Sequence, residues 1–97
     1  MKAAMRLKDS EIQAIKETIY EFDEKAKIYL FGSRVFDDKK GGDIDLLIFS
    51  DKLTFGDRRK IRIELYDKIG EQKIDIALAK DTSEPFVRIV LKEGILL

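Results

Sequence analysis

The tripeptide Asp43-Ile44-Asp45 opens an apolar run, Leu46-Leu47-Ile48-Phe49, that reads as a β-strand. Positions i and i+2 of a strand share a face and lie about 6.6 Å apart along the chain. The two carboxylates therefore point the same way, while Ile44 and Leu46 point into a core. Like charges on one face repel, and a divalent cation between them would hold both ionised. A solvated strand start that happens to read Asp-Ile-Asp is the plainer alternative. Asp75 weighs against it. It stands inside a second apolar run, Ile74-Asp75-Ile76-Ala77-Leu78, where an unpaired charge is costly. If the two runs are adjacent parallel strands, Asp75 faces the same way as Asp43 and Asp45. Three such carboxylates could hold two Mg²⁺ ions roughly 3.5–4 Å apart. The competing reading of Asp75 is an exposed strand edge paired to Lys73.

A third feature lies upstream. Phe31-Gly32-Ser33-Arg34 ends another short apolar run. Gly32 allows a sharp turn and close approach of a phosphate to backbone amides. Ser33 adds a hydroxyl donor and Arg34 a guanidinium suited to phosphate oxygens. Composition narrows the chemistry further. The 97 residues contain no Cys and no His, so thiol nucleophiles, Ser-His-Asp triads and ordinary zinc sites are excluded. What remains is carboxylates, hydroxyls, lysine, arginine and backbone amides, a list suited to Mg²⁺ and phosphates.

The elements that must position these groups follow from apolar spacing. Ser10-Glu11-Ile12-Gln13 has the form of a capping box, and Ile12, Ile15, Ile19 and Phe22 recur at helical spacing, predicting a helix over 10–24. Residues 27–31 and 43–49 read as strands, joined by a polar loop from Gly32 to Gly42. Residues 54–69 read as a helix with Ile61, Leu65 and Ile69 on one side and Gly70 at its end. Residues 73–79 read as a third strand, and Ser83-Glu84-Pro85 opens a last helix that Gly94 closes, before an apolar tail, Ile95-Leu96-Leu97. The helix-free connection between the first two strands predicts an antiparallel pair, and the helix between the second and third predicts a parallel one. The expected fold is α/β (α+β), a small mixed sheet with helices packed against it, in a single domain spanning 1–97. Tyr29, Tyr66 and the phenylalanines other than Phe36 read as core; Phe36, in the polar loop, is the one that could instead stack on a base or a partner. The cluster Asp57-Arg58-Arg59-Lys60-Ile61-Arg62 reads as a solvated helix face rather than a docking patch. This holds even though residues 52–80 carry eight positive charges against five negative.

Lysine plus arginine number 19 and so do aspartate plus glutamate, which argues against a general polyanion binder. No run approaches the ~20 apolar residues of a membrane span, and no signal peptide is read, so a soluble, cytoplasmic protein is expected.

Taken together, Gly32-Ser33, nine residues, Asp43-Ile44-Asp45 and the later Asp75 resemble the signature of the DNA polymerase β-like nucleotidyltransferase superfamily. The small size and the closing Leu91-Lys92-Glu93-Gly94-Ile95-Leu96-Leu97 look like its minimal nucleotidyltransferase (MNT) branch. The resemblance implies that Gly32 and Ser33, with Arg34 and Gly42 beside them, bind the triphosphate of ATP. It implies that Asp43 and Asp45 bind both of two Mg²⁺ ions, and that Asp75 binds the one that activates the attacking hydroxyl. The sequence departs from the family pattern at Gly42, where many relatives have serine, and at Val35-Phe36-Asp37, where many have a small residue and a glycine. Small stand-alone MNT proteins resemble antitoxins that transfer AMP to a tyrosine of a helical HEPN ribonuclease toxin. The implied partners are therefore ATP and a HEPN-type protein, with homo-oligomerisation left open and no membrane or strong nucleic-acid contact. Two alternatives stand beside it: a non-catalytic module that neutralises a partner by docking, and a nucleotidyltransferase acting on a small molecule such as an aminoglycoside, or on RNA.

Overall fold

A computed structural model describes residues 7–32, 44–70 and 73–97. Its elements are α1 (Asp9–Phe22), β1 (Lys27–Phe31), β2 (Ile44–Phe49), α2 (Phe55–Ile69), β3 (Ile74–Ala79), α3 (Pro85–Glu93) and β4 (Ile95–Leu96). Among the described residues the strands form one mixed sheet in the order β3-β2-β1-β4. β1 and β2 pair antiparallel, and β2 and β3 pair parallel across the crossover helix α2, as their connections predict. The apolar tail does more than pack. Ile95 pairs with Leu30 and Leu96 with Tyr29, making β4 an antiparallel edge strand that the sequence reading left as a tail.

The sheet has two unequal faces. Ile28 and Leu30 of β1, Ile44, Leu46 and Ile48 of β2, and Ile74 and Ile76 of β3 point to one side. There they meet Ile15 and Ile19 of α1 and Ile61 and Leu65 of α2 in the main core. The other face carries the alternate residues. It is covered more thinly by α3, whose Val87 and Val90 pack on Leu47, with Tyr29, Phe31, Phe49 and Ala77 half-buried around them. Gly94 is required where α3 ends against β1: a Cβ there would lie 2.7 Å from the Val90 carbonyl and 2.8 Å from that of Leu30.

Three expectations need correcting. The first helix starts at Asp9, with Lys8 at its N-cap. Glu11 accepts from the Lys8 backbone N–H at 3.0 Å, so the back half of a capping box forms two positions before the expected frame, and Ser10 lies inside the first turn. The helix stops at Phe22 because Asp23 is engaged elsewhere. Buried Asp23 accepts from the Ser50 hydroxyl at 2.5 Å and from the Lys25 amide at 3.0 Å. Tyr66, Phe55 and Phe86 are not core: they are 42%, 76% and 43% exposed, the first two on the side of α2 turned away from Ile61 and Leu65. The basic residues of the cluster are exposed as expected, and Arg58 in addition lies over the Phe55 ring and donates to the Ile76 carbonyl of edge strand β3 at 3.3 Å.

The Asp23–Ser50 pair ties the end of α1 to the end of β2. The Ser50 oxygen also accepts from the amides of Lys52 and Leu53, which sets the turn into α2. The Ser50 hydrogen bond, with help from the Lys25 amide and the Lys52 and Lys25 charges, holds the Asp23 carboxyl below its ordinary value against the opposing effect of burial. Because the folded value is the lower one, the stabilisation is complete above the ordinary carboxylate pKa of about 3.9 and is lost as pH falls through the folded value. Ser50→Ala would leave the carboxylate without its shortest partner and is expected to cost about 1–3 kcal/mol in urea unfolding at pH 7. Asp23→Asn should flatten the loss of stability below pH ~4.

Candidate active site

Asp45 and Asp75 come together. They are register partners on the adjacent parallel strands β2 and β3, so their side chains leave the same face of the sheet on neighbouring strands, about 4.8 Å apart between strand axes. That face is the one carrying Leu47, Ala77 and α3, and both carboxylates sit at its end, Asp45 half-buried and Asp75 exposed. Core residues alternate with them: Ile44 and Ile74, one position back, are buried on the other side. The period of two thus delivers both acids to the surface as a consequence of burying their neighbours.

Gly32 completes the described part of the site. Phe31 is the antiparallel register partner of Asp45, so the chain leaves β1 beside that carboxylate. Gly32 has φ +77°, and a Cβ on it would collide with the Asp45 carboxylate oxygen. The glycine therefore meets two demands together, a left-handed turn and room for an acid held close to the backbone. Ser33, Arg34, Phe36, Gly42 and Asp43 lie outside the described residues. Among the described residues no cluster of three or more acidic or metal-ligating side chains is present.

Sequence reasoning missed the aromatic wall beside the acids. Phe31 shares their face, and Phe86 of α3 meets it edge-to-face, with ring centroids 5.4 Å apart. Strand parity alone would have placed Phe31 there, since Leu30 belongs to the main core; Phe86 comes from a helix 55 residues away in sequence. A cavity of about 480 Å³ exists elsewhere, lined by Ser50, Thr54, Ala79 and Glu84 among others. It opens at the opposite ends of β2 and β3, roughly 15 Å of strand from the acids, and contains neither.

A mixed sheet that presents paired carboxylates beside a glycine turn is a scaffold suited to handling phosphates with hard cations. The chain belongs to the nucleotidyltransferase family described as "Polymerase beta, Nucleotidyltransferase", which matches residues 13–97. Its general role is nucleotidyl transfer, and the family uses nucleoside triphosphates and Mg²⁺. No curated protein matches the sequence significantly. Among the described residues no helix is long and apolar enough to cross a membrane.

The donor set fits a magnesium ion. Two carboxylates on neighbouring strands offer oxygen ligands only, the type that Mg²⁺ prefers, and their mutual repulsion is relieved when a cation lies between them.

Proposed function

We propose that this protein, as a single nucleotidyltransferase domain, transfers AMP from ATP to a hydroxyl of a partner protein, acting as an MNT antitoxin that AMPylates and so neutralises a HEPN-type ribonuclease. The observation that carries the catalytic part is the pairing of Asp45 with Asp75 on one face beside Gly32. Asp43, two residues before Asp45, would join them as a ligand of both metals, with Asp75 on one. Gly32, Ser33, Arg34 and Gly42 would hold the triphosphate. Mg²⁺, when bound, supplies charge neutralisation for the phosphates and lowers the pKa of the acceptor hydroxyl. The acceptor oxygen bonds to the α-phosphorus, the bond from that phosphorus to the bridging oxygen breaks, and pyrophosphate departs. The Asp75 carboxylate would receive the hydroxyl proton, and in-line positioning would be the chain's main contribution.

In this reading the partner supplies its own acceptor geometry. The test is intact-mass analysis of a helical protein that co-purifies with this chain, after incubation with Mg·ATP. Addition of one AMP to that protein is expected; no added mass, or AMP transfer only to a small molecule or RNA, would overturn the reading.

A second reading is favoured by α2. Phe55, Arg58, Arg62 and Tyr66 recur at helical spacing, and Phe55, Tyr66 and the neighbouring Ile63 are solvent-exposed apolar side chains on a helix that already buries Ile61 and Leu65. Aromatic residues with arginine are typical of protein interfaces. If docking alone neutralises the partner, Asp45→Asn would leave neutralisation intact.

A further inference from the structure

We infer that Phe86, backed by Phe31, is the platform on which the base of the bound nucleotide stacks, and so contributes to nucleotide affinity. The inference rests on the nucleotide-binding reading above and adds to it a residue outside the glycine-aspartate motif.

Phe31 is the register partner of Asp45 and projects from the same face of the sheet. Phe86 lies against it edge-on, at 5.4 Å between centroids and 78° between planes. In α3 the residues that hold the helix to the sheet are Val87 and Val90, each 3% exposed; Phe86 is 43% exposed and is not needed to close that small core. Much of a large aromatic ring is thus left to solvent, held against Phe31, at roughly one strand spacing plus one ring contact, or about 10 Å, from Asp45. A nucleotide whose phosphates lie at the carboxylates extends its sugar and base over a comparable span. An aromatic face stacks on any base, and it does so without a hydrogen bond that would have to be desolvated.

The neighbouring Ile89, 56% exposed one helical turn on, offers no flat face for stacking. Phe86 and Ile89 together would instead suit a protein surface, and this rival predicts a different outcome from the same variants.

The probes are Mg·ATP and Mg·tripolyphosphate, titrated calorimetrically into the full chain. Phe86→Ala should weaken ATP about tenfold, within the range typical of one aromatic–base stack, and leave tripolyphosphate unchanged. Phe86→Leu, which preserves packing on Phe31 but not the ring, should resemble Phe86→Ala, and Phe86→Tyr should retain wild-type affinity. Ile89→Ser should alter neither titration. Equal loss of ATP and tripolyphosphate in Phe86→Ala, or no loss of either, overturns the platform while the nucleotide reading stands. Wild-type chain that binds neither probe overturns the nucleotide reading and the platform with it.

Discussion

Asp45→Asn is expected to lower AMP transfer by roughly a thousandfold or more with the fold retained, which corresponds to about 4 kcal/mol of transition-state stabilisation. The substitution conserves shape and removes only charge. Asp45 is the half-buried member of the pair, fixed between the Gly32 turn on one side and Asp75 on the other, and so cannot be replaced by a mobile neighbour. With a neutral amide there, a cation would be left with weaker ligands and the phosphates with less compensating charge. The rate is measured as AMP incorporated into the partner at saturating Mg·ATP, alongside a thermal melt that separates lost chemistry from lost folding. A near-wild-type rate in a folded Asp45→Asn protein would remove the metal-assisted mechanism.

Gly32→Ala should fail in a different manner, harming stability and activity together. Alanine at φ +77° costs about 1–2 kcal/mol of backbone strain. Its Cβ would also occupy the place of the Asp45 carboxylate oxygen, which cannot be accommodated without moving either the acid or the end of β1. We expect a loss of about 2 kcal/mol in urea unfolding and, if Asp45 acts as proposed, a fall in transfer of at least about a hundredfold, because displacing its carboxylate by a fraction of an ångström already disturbs positioning. Unfolding and transfer assays on one preparation check both. An alanine variant with normal stability and normal rate would mean that the close approach of glycine and acid has no role.

These two residues show what kind of information was legible in the chain. Strand period was enough to give Asp43 and Asp45 one face, and the absence of His and Cys limited the chemistry to oxygen ligands, since both arguments are local. That Asp75 shares the face held only on the condition that the two runs pair as parallel neighbours, which the β2–β3 register meets for Asp45. The helix-free link between β1 and β2 and the helical link between β2 and β3 were enough for the strand directions, because connection length restricts how strands can pair. The glycine at position 32 was readable as a turn. That it also clears space for a particular carboxylate was not, because the Phe31–Asp45 register is set by the pairing of two strands.

The misreadings have the same origin. Tyr66 and Phe55 looked like core because they are apolar at helical spacing, yet a helix packed on one side of a sheet can bury only one stripe, and Ile61 and Leu65 occupy it. The capping box slipped in frame because Glu11 can serve whichever residue precedes it by three. The buried Asp23–Ser50 bond, 27 residues apart, could not be seen at all: each residue alone reads as ordinary loop polarity, and only the docking of α1 beside the end of β2 makes them partners.

Composition, periodicity and the lengths of the connections determined the kinds of element, the strand directions and the residue types able to do chemistry, as these depend on short stretches of chain. Which strands adjoin in register, which aromatic ring stands beside the acids, and that the last residues become a fourth strand were decided only when the elements packed, because each is a contact between segments whose distance in sequence carries no signal.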